Sequence, residues 1–312
     1  MEKTYHFKRI NSDSYKDLIL ISKSAFNINP GLEYYKRKND TVYFGEPHLG
    51  YIAYSEDGEP AAFYGVYAHP MIIDGVKYIA AQSGDTMTHK LHGGKGLFTT
   101  LAKMTYDLAK EKGIDFIFGF PNYNSYPGFV KKLSWTCPYN LKEFRSKIHT
   151  IPLAKLAKKI SIFNSIYKYY VNGILSFYRA DKKAFQNSVI QSGIGGVERS
   201  EAFINYKIFS GSRIISIDGL QIWLKIDGFM FIGDIEKVES TDYSGTWRKL
   251  KKLCFLLGVD TLIFQVCPDV FYDKALSVFL PSTEVFPMGY LNLSGKIDPA
   301  KFKYVFGDID TF

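Results

Sequence analysis

Cysteine is scarce in this chain of 312 residues. There are three, Cys137, Cys254 and Cys267, odd in number and scattered. None forms a CxxC pair, which excludes a zinc ribbon and a thioredoxin-like redox motif. A reducing, cytoplasmic compartment is the simplest expectation. Histidine is sparse as well, with six residues. His89 and His92 stand three apart, but no acidic or Cys ligand lies beside them at metal-site spacing, so no metal is expected. Long apolar runs are missing. None approaches the roughly 18 residues that would span a bilayer. The stretch Met1 to Lys8 has neither an apolar centre nor a small-residue cleavage site, so no signal peptide is expected there. Acidic residues are in deficit, 31 against 39 Lys and Arg, for a net charge of +8.

Aromatics are abundant, with 25 Phe and 23 Tyr. A 46% hydrophobic and 22% charged composition is ordinary for a globular protein and excludes disorder or a collagen-like repeat. Aromatic side chains bury a large area each, so a sizeable core is readily built. At about 150 residues per domain, the length suggests two domains. The basic balance suits an anionic partner: a phosphorylated cofactor, a nucleotide, a nucleic acid or a membrane surface.

Along the chain, the first forty residues read as polar and helical, with Tyr15, Leu18, Ile19 and Ile21 as the apolar positions. Strand signals follow at Leu49–Tyr54, Ala61–Ala68 and Tyr78–Gln82, separated by turns at Glu56–Glu59 and at Asp74-Gly75. The loop His92-Gly93-Gly94-Lys95-Gly96 leads directly into Leu97, Leu101, Met104 and Leu108, which share one helical face. Gly113 stands where a helix C-terminus prefers glycine. Asp115–Phe120 reads as a buried central strand, and Tyr126–Leu133 as a short helix. From Pro152 to about Gln186, apolar residues at helical intervals (Leu153, Leu156, Ile160, Phe163, Tyr167, Tyr170 and Ile174) are interleaved with Lys155, Lys158, Lys159 and Lys168. This is either a helical connector packing one stripe on the protein or a basic amphipathic segment touching an anionic membrane or glycolipid.

The last third repeats the middle. Ile226-Asp227-Gly228 echoes Ile73-Asp74-Gly75, and Gly233-Asp234 echoes Gly84-Asp85. A helix with Trp247, Leu250, Leu253 and Leu257 ends at Gly258, and Gly258-Val259-Asp260 echoes Gly113-Ile114-Asp115. Two copies of one α/β unit are therefore predicted. The second has Ile235–Thr246 in place of the glycine loop and is expected to bind no cofactor.

A glycine loop at a helix N-terminus is an anion site, because unpaired N–H groups and the helix dipole point outward there. The loop is not a Walker motif, since Gly96 follows Lys95. It is not a dinucleotide fingerprint, since Thr99 stands at the third glycine. Its order of strand, Ser83-Gly84-Asp85-Thr86-Met87-Thr88, loop, helix, buried strand, Asn122 and short helix resembles the GNAT superfamily of acyl-CoA N-acyltransferases. The resemblance runs from about Tyr5 to Trp135. Gly93 stands at the Gln/Arg position of that family's pyrophosphate motif, Gly96 at its central Gly and Phe98 at its final Gly/Ala.

The resemblance implies an α/β (α+β) GNAT fold, with a mixed, mostly antiparallel sheet whose central strands splay. Two GNAT-like domains are expected, at 1–150 and 191–312, joined by a basic helical connector at 151–190. It implies an acetyl-CoA-dependent N-acetyltransferase, with direct attack by a primary amine. The acceptor would be small or mid-sized, with an amino sugar or nucleotide sugar favoured and no nucleic acid. Backbone at Thr86, Met87 and Thr88 would pair with the pantetheine arm. The amides of Gly93, Gly94, Lys95, Gly96, Leu97 and Phe98 would hold the pyrophosphate. Asn122 would contact the arm and Phe129 would flank it. Val130 occupies the place of the usual acid Tyr. Tyr123 or Tyr126 could substitute, or each is a structural aromatic. Asp85 is the candidate base, or else it caps the loop or pairs with Lys95. Two further readings stay open: a peptidoglycan-type aminoacyl transferase, and a non-catalytic CoA-binding regulator.

Overall fold

The computed structural model describes residues 4–180, 185–238 and 241–312. Met1 to Lys3, residues 181–184 of the expected connector, and residues 239–240 within the expected Ile235–Thr246 segment lie outside them. The chain divides into two compact units that are not contiguous in sequence. One comprises Met1–Met71, Gly75–Pro138 and Phe286–Lys301; the other comprises Ile72–Asp74, Tyr139–Val285 and Phe302–Phe312. The expected contiguous division at residues 150 and 190 does not hold.

The first unit contains β1 (Tyr5–Arg9), α1 (Tyr15–Phe26), α2 (Leu32–Lys38), β2 (Leu49–Ser55), β3 (Pro60–Ile73), β4 (Val76–Thr88), α3 (Leu97–Glu111), β5 (Phe116–Gly119) and α4 (Tyr126–Leu133). Its strands lie in the order β1-β2-β3-β4-β5. A last strand is drawn from far along the chain: Gly289–Asn292 of β12 (Ser282–Asn292) pairs antiparallel with β5. β1 is the one element that the polar reading of the N-terminus hid. Tyr-His-Phe-Lys-Arg pairs antiparallel with β2 at the sheet edge and is mostly exposed. An edge strand carries charge because charge discourages pairing with other chains, and that masks the apolar alternation.

Helices cover both faces of this sheet, so its strands are buried on both sides and read as apolar runs. Tyr64, Leu101, Tyr106, Ile117, Phe129 and Trp135 form the core under α3 and α4. Tyr15, Leu18, Ile21, Tyr35, Phe63 and Met87 form a second core under α1 and α2. The α3 stripe holds as predicted at Leu97, Leu101 and Leu108, and Tyr106 and Ala109 widen it. After α3, Gly113 adopts a positive φ of 78°, and the Ile114 N–H donates back to the Ala109 carbonyl. That left-handed step costs glycine little and turns the chain into β5.

The second unit contains most of β6 (Thr136–Lys147), α5 (Leu153–Lys159), α6 (Ser161–Leu175), the two-residue β7 (Gly196–Val197), α7 (Glu201–Lys207), β8 (Arg213–Ile217), β9 (Leu220–Asp227), β10 (Phe229–Ile235), α8 (Tyr243–Leu256), β11 (Thr261–Val266) and α9 (Phe271–Ser277). Its order is β6-β11-β10-β9-β8. β10 and β11 pair parallel, as β4 and β5 do, with one helix between the strands of each pair. A fully buried Arg199 joins Asp234 at 2.6 Å and Asp308 at 2.8 Å. Its guanidinium also lies over the rings of Phe185 and Trp223.

The predicted connector stripe is corrected at Ile160. There the backbone turns extended and separates α5 from α6. The break resets the helical phase, so Ala154, Ala157, Tyr167, Val171 and Leu175 pack inward while Leu156 and Ile160 are exposed.

Candidate functional site

The site begins where β4 and β5 part. They pair parallel through Ala80, Ala81 and Gln82 against Phe116, Ile117 and Phe118. β4 then runs on to Thr88, whereas β5 stops at Gly119. From Ser83 to Thr88, including the predicted Thr86, Met87 and Thr88, β4 has no β5 partner on that side. A parallel pairing that ends in this way leaves backbone donors and acceptors of the longer strand for an extended ligand.

A bulge at Gly84-Asp85 sets the side chains of this segment. Ala81 packs under α3 and Ser83 bonds to Tyr64 in the same core. Met87 faces the opposite core, and Asp85 meets Lys38 of α2. Strict alternation would put Ser83, Asp85 and Met87 on one face. The positive φ of 51° at Asp85 absorbs the slip. The second unit does the same at the echoed pair. The β9–β10 register shifts between Ile232 and Asp234.

Asp85 is therefore neither the partner of Lys95 nor a cap on the glycine loop. Its Oδ2 accepts from the Tyr67 hydroxyl at 2.6 Å and from Lys38 Nζ at 2.9 Å. Lys38 is 2% exposed and its ammonium also lies over the Tyr34 and Tyr67 rings. Burial and the neighbouring carboxylate hold the Tyr67 phenol well above its ordinary pKa, so it stays a donor. Both contacts fall on Oδ2, which leaves Oδ1 for a further ligand. By alternation with Ser83, Gln82 shares the Asp85 face. It is wholly buried and both its carboxamide atoms lack a partner among the described residues.

The other face carries a chain of hydroxyls. Trp135 Nε1 donates to the Tyr106 hydroxyl at 3.0 Å. The Tyr106 and Tyr64 hydroxyls lie 3.1 Å apart, and Tyr64 reaches Ser83 Oγ at 2.7 Å. Burial raises both phenols, so each keeps its proton. An indole only donates. Full satisfaction then runs the bonds from Trp135 through Tyr106 and Tyr64 to Ser83, whose own O–H is left to donate at the splay.

The loop sits at the far end of β4. Gly93 to Gly96 are exposed, and Gly94 and Gly96 have φ of 74° and 75°. No atom stands within 4 Å of where a Cβ would project at either glycine. Gly96 caps α3, and its carbonyl takes the N–H groups of Thr99 and Thr100. Among the described residues, no N–H from Gly93 to Phe98 donates to a backbone carbonyl. These orphan donors, the helix dipole and the exposed Lys95 fit a pyrophosphate. His92 is buried behind the loop, with Nδ1 3.0 Å from the Tyr5 hydroxyl, and supports the loop from within.

Residues 6–137 match the family model of the acetyltransferase (GNAT) domain. Residues 6–137 are a GNAT acetyltransferase domain. No curated protein matches the chain. Three solved structures share the fold of nearly the whole chain at identities that speak to fold alone. A conserved Enterococcus faecalis V583 protein of unknown function aligns with a TM-score of 0.62 at 14% identity, over 93% of this chain and 73% of that one. A GCN5-related N-acetyltransferase from Kribbella flavida gives 0.59 at 11%, over 94% and 72%. Another from Anabaena variabilis ATCC 29413 gives 0.54 at 13%, over 93% and 73%.

In this GNAT domain the α4 end departs from the expected roles. Asn122 uses its Oδ1 to accept from the Asn124 and Ser125 N–H groups, both at 3.0 Å, so only its amide nitrogen is free to meet a pantetheine carbonyl. Phe129 does not line an open groove. It is buried against Phe98, Trp135 and Tyr64. Tyr126 opens α4 and is partly exposed, while Tyr123 stands 93% exposed on the preceding turn. Among the described residues, neither phenol forms a hydrogen bond. Sequence reasoning missed Lys38, Tyr67, Gln82 and Ser83. Lys38 alone left a trace, as a lysine in a helix too short to show a period.

Proposed function

We propose that the GNAT domain transfers the acetyl group of acetyl-CoA to a primary amine. The observation that carries this reading is the parting of β4 from β5 beside an open Gly93–Gly96 loop at the start of α3. The amides of Gly93, Gly94, Lys95, Gly96, Leu97 and Phe98 would hold the pyrophosphate. Backbone at Thr86, Met87 and Thr88 would pair with the pantetheine arm, and the Asn122 amide would meet it from the turn between β5 and α4. Acetyl-CoA supplies an activated thioester. The chain's own residues position the amine and move protons. Asp85 Oδ1 takes a proton from the acceptor's ammonium, directly or through one water, and the freed amine attacks the thioester carbon. The C–S bond breaks to release CoA as a thiolate, which takes its proton from water; Ser83, rather than Tyr123 or Tyr126, donates a hydrogen bond to that sulfur, because its hydroxyl ends the chain that starts at Trp135.

The acceptor is a hydroxyl-rich amine such as an amino sugar or nucleotide sugar. Asp85 Oδ1 and the Gln82 carboxamide on one face offer acceptors and a donor to an amine flanked by hydroxyls, while Tyr67 and Lys38 hold Asp85 in place. The second unit is read as a degenerate copy without a cofactor. Its α8 N-terminus is already capped by a carboxylate, with Asp242 Oδ1 accepting from Gly245 N–H at 2.9 Å, where α3 begins at glycine.

Isothermal titration with acetyl-CoA, followed by thiol release over a panel of amines, tests the reading. No binding of acetyl-CoA or CoA would sink it. Binding without turnover would leave a regulatory protein, and co-purified RNA without CoA binding would favour aminoacyl transfer. Asp85→Asn is expected to lower kcat by about a hundredfold, the ordinary worth of a general base, with acetyl-CoA affinity unchanged. Ser83→Ala is expected to slow turnover by about tenfold or more, while Tyr123→Phe has no effect. A slow Tyr123→Phe beside a normal Ser83→Ala would return that role to the tyrosine.

A further inference from the structure

We propose that the α5–α6 element docks the protein on an anionic bilayer surface. α6 carries two apolar faces. Tyr167, Val171 and Leu175 pack inward, as one face of a surface helix must. On the opposite side Ile162, Ile166 and Tyr169 follow at intervals of four and three, and Phe177 lies exposed in the turn that follows α6. These four are 62% to 88% exposed. Ile151, Leu156 and Ile160 extend the apolar surface along α5. A protein with no use for such a row would place polar residues there.

The charge says what covers it. From Ile151 to Ala180 there is no Asp or Glu, and there are five cations: Lys155, Lys158, Lys159, Lys168 and Arg179. Lys155 pairs with Asp260 and Lys158 with Asp227, while Lys159, Lys168 and Arg179 form no ion pair among the described residues. Behind the helices, a cavity of about 560 Å³ is lined by Lys168 and by Arg213, which forms no ion pair among the described residues. A second copy of the chain would bring the same cations face to face, which opposes self-association through this surface. An anionic membrane supplies the opposite charge and an apolar layer for Ile, Tyr and Phe. No helix among the described residues is long and apolar enough to cross a membrane, so the contact is peripheral.

The test is co-sedimentation of the full chain with vesicles of phosphatidylcholine alone and with phosphatidylglycerol added. Binding is expected only to the anionic vesicles, and added salt should release the protein. The triple change Ile162→Ser, Ile166→Ser and Phe177→Ser should weaken vesicle binding by about tenfold or more, as should Lys159→Glu with Lys168→Glu. All five positions are exposed, so circular dichroism and acetyl-CoA titration should match the parent. No binding to anionic vesicles at low salt would overturn the proposal. So would serine variants that bind vesicles normally, or that bind them normally while splitting an oligomer.

Discussion

Gly96→Asp is expected to abolish the proposed binding of acetyl-CoA without unfolding the GNAT domain. Gly96 adopts a left-handed φ of 75° at the cap of α3, in open space. A Cβ there meets no atom, and aspartate tolerates this region better than most residues, so the strain is about 1 kcal/mol. The new carboxylate stands among the N–H groups that would hold the pyrophosphate. Two unit charges about 4 Å apart at an effective dielectric of about 20 repel by about 4 kcal/mol, close to a thousandfold in affinity. The substituted side chain also competes for the same orphan donors. Titration calorimetry is expected to show no heat, while the melting temperature shifts by only a few degrees. Gly58→Asp is the control. Gly58 has a φ of 79° and open surroundings too, but it sits in the β2–β3 turn. Its affinity should match the parent. Retained binding in the Gly96 variant would remove the loop from the site.

Arg199→Met destabilises the second unit more than any surface change. The guanidinium serves two carboxylates, and all three side chains are fully buried. Removing it leaves Asp234 and Asp308 with no cation, a loss of about 3–5 kcal/mol for a broken buried pair. Native domains hold only about 5–15 kcal/mol in total. A fall in melting temperature of about 10 °C is expected, read by calorimetry or by the fluorescence of the buried Trp223. Burial already lifts Asp234 above the ordinary carboxylate pKa despite Arg199 beside it. A raised native pKa means that the folded state binds the proton more tightly. That contribution is present in full below the unfolded value and is lost as pH rises through the native one. Without the arginine the lift grows, so the variant's deficit should narrow on acidification. A melting point unchanged within about 2 °C would show that the triad adds nothing to stability.

Much of the first unit was legible because its signals are local. The glycine loop, the stripe on α3, Gly113 and the buried run of β5 each rest on a few neighbouring residues, and each stands where expected. β1 was hidden because an exposed edge strand carries Lys8 and Arg9 in place of alternation. The connector stripe was misplaced because one extended residue, Ile160, changed the phase of everything after it. The division into domains was misjudged because β12 joins a sheet formed far earlier in the chain. Pairing across that separation leaves no periodic mark.

The candidate site divides along the same line. The glycines before α3 are read directly from the chain, and glycines before a helix leave donors open whatever surrounds them. So is the repeated Gly-Asp step, and Val130 is read against the family pattern. What Asp85 is bonded to depends on the packing of distant elements. A bulge moved it to the face of Lys38 and Tyr67, which come from an element and a strand that no spacing connects to it. The same bulge left Ser83 behind on the face of Tyr64, at the end of a hydroxyl chain from Trp135. Side-chain direction in a strand depends on every residue before it, and one slip reverses all that follow.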